Sequence, residues 1–218
     1  IVSAFGSAGQ RCSSARLLML PRDTADGILE GLIGAMDTLV IGDPADPATD
    51  IGPVIDEAAR AALTAHLDRL HREARVLHQL KTPDIGTFFG PVLAEIASLD
   101  FLEREVFGPI LHVLRYDPRE LDTLTAALAT KRYGLTLGIH SRIEAFAEEV
   151  RAAVPAGNVY INRSMTGAVV GVQPFGGEGL SGTGPKAGGP HALLRYAVER
   201  ALSVNITAQG GDPALLNL

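Results

Sequence analysis

The chain has 218 residues, 46% hydrophobic and 20% charged, a balance that suits one large globular domain or a domain and a half with a real core. Its net charge of −6 advertises no general nucleic-acid-binding face, and no apolar run approaches the roughly 20 residues of a membrane span. The single cysteine rules out an internal disulfide and fits a reducing, cytoplasmic compartment.

The first residues, Ile1-Val2-Ser3-Ala4-Phe5, carry neither an initiator methionine nor a signal-peptide pattern, and they read as a piece of a longer protein entered inside a helix. That helix ends at Gly6. Gly9-Gln10-Arg11-Cys12-Ser13-Ser14 follows. A cysteine between a Gly-Gln turn and two serines, with an arginine beside it, has two readings. It is a nucleophile, because a neighbouring cation favours the reactive thiolate, or it is a small buried hydrophobe. Residues 15–20 form an apolar run closed by Pro21 and predict a buried strand.

Asp23 or Thr24 can cap a helix whose apolar positions run from Ile28 to Leu39. Proline and glycine between residues 42 and 53 mark a rigid loop. Residues 56–75 predict the clearest helix, with Ala59, Leu63, Leu67 and Leu70 as its apolar stripe. Strands are predicted at 76–80, within 88–96, at 110–116, 135–140 and 158–162. Helices are predicted at 121–130 and 143–154. This alternation predicts an α/β fold: an open, largely parallel sheet flanked by helices. A glycine-rich stretch over 167–190 follows, then a helix over 191–200, a strand over 201–207 and a loose tail.

Several motifs lead nowhere. Gly177-Glu178-Gly179-Leu180-Ser181-Gly182 matches G-x-G-x-x-G, but neither flank supplies the strand and helix that a dinucleotide fingerprint needs. Lys186 is followed by Ala187 rather than serine or threonine, so there is no P-loop. His66 and His71 are five apart on one helix, which is not ligand spacing. All six histidines read as structural, and no metal is expected. Glu105 and Phe107, set before Gly108-Pro109, offer a carboxylate for ribose hydroxyls and a ring for a flat heterocycle. Their alternative reading is a solvated glutamate and a core phenylalanine.

Gly9-Gln10-Arg11-Cys12, Glu105-Val106-Phe107-Gly108-Pro109, Asn158-Val159-Tyr160-Ile161-Asn162 and Pro174-Phe175-Gly176-Gly177 stand in the order and approximate spacing of the aldehyde dehydrogenase superfamily. The chain resembles that family's catalytic-domain half. Ser13, Asn162-Arg163, Thr166-Gly167-Ala168 and the run from Val172 to Pro190 resemble more finely the L-glutamate-γ-semialdehyde (1-pyrroline-5-carboxylate) dehydrogenases, in the form that bacterial bifunctional proline-utilisation proteins carry behind a proline dehydrogenase.

The resemblance implies that Cys12 attacks the aldehyde and that its backbone N–H holds the oxyanion. Ser13, Gly167 and Ala168 would anchor the substrate carboxylate, Arg11 would add charge, and Phe175 would wall the aliphatic part. Glu105 would hold the nicotinamide ribose of NAD, with Phe107 beside the ring. FAD is implied only for an upstream proline dehydrogenase domain. The family's Rossmann-like cofactor domain, general-base glutamate and oxyanion asparagine lie N-terminal to the cysteine, so residues 1–200 are expected to be a catalytic-domain fragment with little turnover alone. Residues 201–218 would form an interdomain or oligomerisation strand and tail. The implied partners are a small-molecule substrate, the upstream cofactor domain and further copies of the parent in a homo-oligomer. Two alternatives remain: an aldehyde dehydrogenase of other specificity, and a noncatalytic assembly module.

Overall fold

The computed structural model describes residues 1–169, 171–182 and 184–205, with the isolated positions 208, 210 and 214. A short helix α1 (Val2–Phe5) leads into a turn of 3-10 helix, and then β1 (Leu17–Pro21) and α2 (Ala25–Met36) follow. Next come α3 (Glu57–Glu73), β2 (Arg75–Gln79), β3 (Val92–Glu95), β4 (Ile110–Tyr116) and α4 (Leu121–Thr130). The chain continues through β5 (Tyr133–Gly134), β6 (Thr136–Ile139), α5 (Glu144–Ala153), β7 (Asn158–Ile161) and β8 (Glu178–Gly179). No helix among the described residues is long and apolar enough to cross a membrane.

The main sheet has the order β1-β4-β3-β2. β4 runs parallel to both β1 and β3, while β2 closes one edge antiparallel to β3. β4 is the central strand, and its sequence is accordingly apolar at nearly every position rather than alternating. Successive side chains of a strand point to opposite faces. On β4, His112 bonds His66 of α3, and Arg115 pairs with Asp26 of α2. An odd and an even position thus place α3 and α2 on opposite faces of the sheet, the expected α/β architecture.

α3 forms for local reasons. The carboxylate of its cap, Asp56, accepts from the Ala59 N–H at 2.7 Å and satisfies one of the free donors of the first turn. Leu63, Leu67 and Leu70 are buried. Arg60–Glu57 and Arg69–Glu73 ion pairs occupy exposed positions. The core continues through Phe5, Met36, Leu93, Ile110 and Val113.

A second, smaller parallel pair joins β6 to β7, and β5 pairs antiparallel with β8. The glycine-rich stretch therefore carries structure that its sequence does not announce. Phe175 and Ala187 exchange two backbone hydrogen bonds of 3.0 Å. Asn158 clamps the chain on either side of Phe175, donating to Pro174 O at 2.9 Å and accepting from Gly176 N at 3.2 Å. No helix opens across residues 177–182, so the G-x-G-x-x-G string is a turn and a strand pairing.

The helix predicted over 191–200 is only a 3-10 turn, Leu193–Tyr196. Leu193, Leu194 and Tyr196 are exposed, so no packed face holds a longer helix in place. Residues 201–205 have no regular secondary structure, and residues 206 and 207 of the predicted strand lie outside the described residues. So do Val170 and Thr183 of the glycine-rich motifs.

Candidate active site

The register of the sheet brings the two predicted site segments together. Leu17 of β1 is the partner of His112 on β4. Cys12 lies five residues before Leu17, and Phe107 five before His112. The strands are parallel, so both segments emerge side by side at the same end of the sheet. That end is the amino end of the strands. The usual crevice of open α/β sheets lies at the carboxyl end.

The cysteine loop is entered through three consecutive left-handed residues, Ser7 (φ 55°), Ala8 (φ 52°) and Gly9 (φ 63°). For the non-glycine residues this conformation costs about 1 kcal/mol each. Gly9 cannot be another residue without rearrangement, because a Cβ there would stand 2.3 Å from the Gly108 carbonyl oxygen. The two backbones touch where the glycine of one loop meets the glycine of the other. Gln10 fixes the loop from a third direction, its side-chain oxygen accepting from Ile55 N at 2.9 Å.

Cys12 is exposed, so it is not the small buried hydrophobe of the alternative reading. Phe107 is 43% exposed and likewise is not a core residue. Glu105 accepts from Arg16 through one oxygen, Oε1, at 3.2 Å.

Arg16 was not singled out by the sequence. In the fold it is the junction. Its Nη1 donates to the Gly9 and Gly108 carbonyls, and its Nη2 donates to the Arg11 carbonyl at 3.0 Å. Its guanidinium also lies over the Phe107 ring, 4.9 Å from the centroid. Burial lowers the Arg16 pKa, while Glu105 and, more weakly, Cys12 act in the opposite direction. The sequence counted it within the apolar run 15–20, whereas the strand begins at Leu17 and leaves Arg16 just ahead of it.

Beneath this junction lies a pair of histidines. His112 is fully buried; its Nδ1 lies 2.9 Å from the Arg16 carbonyl, and its Nε2 lies 2.9 Å from His66 Nε2. A carbonyl only accepts, so His112 Nδ1–H is the donor there and its Nε2 accepts from His66. Burial pushes the His112 pKa down to about 4, against the hydrogen bond to Arg16. Burial, then Arg69 and Arg104, lower that of His66. The structural reading of these two residues fits, but their pairing is invisible in sequence.

Ser13 is buried beside the exposed cysteine. Its hydroxyl accepts from the Gly167 N–H at 3.5 Å, the long limit of a hydrogen bond. The Thr136 hydroxyl donates to the Ser13 carbonyl at 3.4 Å. Asn162, in a left-handed conformation (φ 55°), turns the chain after β7 by a two-point bond to the Ser141 backbone. Ser3 then receives the returning segment, bonding Ser164 Oγ at 3.1 Å and the Met165 N–H at 3.2 Å.

Ser13 and Gly167, predicted together, thus meet, with Ala168 next in the chain. A Cβ at Gly167 would touch nothing within 4 Å, so its surroundings are open. Arg11 is exposed, and its Nε donates to Ser7 Oγ at 2.8 Å. Phe175 is half-buried; its backbone is bonded to Ala187, not to the cysteine loop. Among the described residues, no group of three or more His, Cys, Asp or Glu side chains could hold a metal ion.

This combination of parallel sheet, exposed loop cysteine and facing Glu-Val-Phe-Gly-Pro segment defines a class. The family model described as "Aldehyde dehydrogenase family" matches residues 1–202, and the chain belongs to that family. Among particular relatives, it is 46% identical over 226 residues to the bifunctional protein PutA of Klebsiella aerogenes, covering 99% of this chain and 17% of that protein. It is 34% identical to 1-pyrroline-5-carboxylate dehydrogenase of Bacillus subtilis, covering 93% of this chain and 40% of that protein. A crystal structure of a Bradyrhizobium japonicum PutA mutant superposes with a TM-score of 0.90 at 52% identity, covering 95% of this chain and 21% of that one. A Thermus 1-pyrroline-5-carboxylate dehydrogenase with bound NAD gives 0.79 at 33% identity, covering 86% and 36%. The chain therefore spans about a fifth of the PutA relatives and two fifths of the single-function dehydrogenases.

Proposed function

We propose that the chain is the nucleophile-bearing part of an NAD-dependent L-glutamate-γ-semialdehyde dehydrogenase, acting within a larger PutA-like protein in proline catabolism. The observation that carries this reading is the position of Cys12. On one side the Glu105–Phe107 segment is fastened to its loop through Arg16. On the other, the Ser13 hydroxyl and the Gly167 N–H converge.

The residues fit a nicotinamide cofactor. Glu105 uses one oxygen for Arg16, and the carboxylate keeps capacity for a ribose hydroxyl. Phe107 exposes a ring beside it. NAD, when bound, supplies the acceptor for the hydride that leaves the aldehyde carbon.

Cys12 Sγ, as thiolate, bonds the carbonyl carbon of the aldehyde, and the carbonyl electron pair moves to oxygen. The Cys12 backbone N–H holds that oxyanion. Loss of hydride from the carbon leaves a thioester on Cys12. Water then adds to the thioester carbon, and the C–S bond breaks to release glutamate and the thiolate, so one difficult oxidation becomes two easier steps. Activation of that water is assigned to the larger protein. The substrate carboxylate is held by the Ser13 hydroxyl and the N–H groups of Gly167 and Ala168, with Arg11 adding charge and Phe175 lining the aliphatic part.

The test is the substrate preference of the full-length parent. A preference in kcat/KM for glutamate semialdehyde over simple aliphatic aldehydes is expected. Equal handling of both would leave an aldehyde dehydrogenase of other specificity.

A further inference from the structure

One guanidinium joins the cysteine loop to the Glu105–Gly108 segment. Arg16 donates to the Gly9 and Arg11 carbonyls of the cysteine loop, to the Gly108 carbonyl and to Glu105, and it covers Phe107. The Arg11 contact has a particular consequence. The Arg11 carbonyl and the Cys12 N–H belong to the same peptide plane, and in a trans peptide they point in opposite directions. The chain contains no cis peptide among the described residues. Holding the Arg11 carbonyl toward Arg16 therefore aims the Cys12 N–H away from it. A cationic donor on that carbonyl also polarises the peptide and strengthens its N–H as a donor.

The hold is itself anchored. Arg16's own carbonyl accepts from buried His112, which fixes the backbone from which the side chain reaches. No lysine could replace this arrangement: a planar fork reaches several acceptors at once, whereas an ammonium is a point charge on a flexible stem.

We propose that Arg16 is the positioning residue of the reaction: through the Arg11 carbonyl it aims and polarises the Cys12 N–H at the developing oxyanion, and through Glu105 it sets the cofactor-side carboxylate in the same frame. This rests on the reading of Cys12 as nucleophile. Three measurements on the full-length parent, wild type against Arg16→Lys, separate the role from a merely structural one. Acylation of Cys12 by a p-nitrophenyl ester passes through an oxyanion and needs no cofactor. Alkylation of Cys12 by iodoacetamide passes through none. KM for NAD reads the Glu105 arm.

Arg16→Lys keeps the charge and loses the fork. It is expected to acylate roughly 10- to 100-fold more slowly and to raise KM for NAD, while alkylation stays within about threefold of wild type because the charge near the thiol is retained. Acylation at the wild-type rate, or a fall in acylation and alkylation by the same factor, overturns the proposal. Should Arg16→Lys fail to fold, Arg16→Gln, which keeps a single amide donor, is read by its acylation-to-alkylation ratio: a fall in that ratio supports the role, and an unchanged ratio overturns it. If the wild-type parent fails to oxidise glutamate semialdehyde, the proposed function fails, yet the ester and iodoacetamide arms still decide the part played by Arg16.

Discussion

Ser13 and Cys12 are adjacent in sequence and opposite in environment: the serine is buried and the cysteine exposed. A buried hydroxyl whose strongest partner is a 3.5 Å contact retains capacity for a better one. Ser13→Ala in the parent is expected to raise KM for glutamate semialdehyde about tenfold or more, the scale of one hydrogen bond to a charged group, and to leave KM for a simple aliphatic aldehyde nearly unchanged. Steady-state kinetics with both substrates checks this. Gly9 makes a second residue-scale case. Gly9→Ala places a Cβ against the Gly108 backbone at positive φ, where neither neighbour can yield cheaply. A loss of roughly 2–4 kcal/mol in this domain and loss of turnover are expected, measured by thermal unfolding and activity. At Gly108 the nearest atoms an added Cβ would meet belong to the Leu63 side chain rather than to backbone, so Gly108→Ala is expected to cost less than Gly9→Ala by the same measurements. At this scale only Cys12 stood out by its own setting; Glu105 carried two readings, and Ser13 and Gly167 came into view only through the family resemblance. The sequence hid Arg16, whose role depends on carbonyls supplied by residues up to 92 positions away.

Elements explain why those residues meet. The parallel register of β1 on β4 places the cysteine loop beside the Glu105–Gly108 segment, and Asn162 with Ser3 returns the segment after β7 to Ser13. Most elements were legible as apolar runs and stripes, and 110–116 and 121–130 match to the residue. The last helix was not, because its apolar residues found no face to pack on. The glycine-rich stretch was not, because its order comes from contacts with β5 and Asn158 rather than from its own pattern. The α3–β4 contact carries a pH prediction. His112 in the fold titrates near 4, against about 6.5 unfolded. Between those values the unfolded chain binds the extra proton, so stability is present above pH 6.5 and falls as pH drops toward 4, by on the order of 3 kcal/mol. Hydrogen exchange of β4 amides in the parent should quicken across that window beyond the intrinsic pH effect. Protection independent of pH there would contradict the buried neutral pair.

At the scale of the whole molecule, the chain belongs to the aldehyde dehydrogenase family and spans about a fifth of its curated PutA relatives. Expressed alone, the 218 residues are expected to show no NAD-dependent turnover, because water activation is assigned elsewhere; NADH production followed by absorbance checks it. The most direct test is the parent carrying Cys12→Ser, assayed for NADH formation from glutamate semialdehyde beside wild type at matched stability. With Cys12 as the bonding atom, turnover should fall by about 1000-fold or more. A variant within twofold of wild type would mean that Cys12 does not carry the reaction.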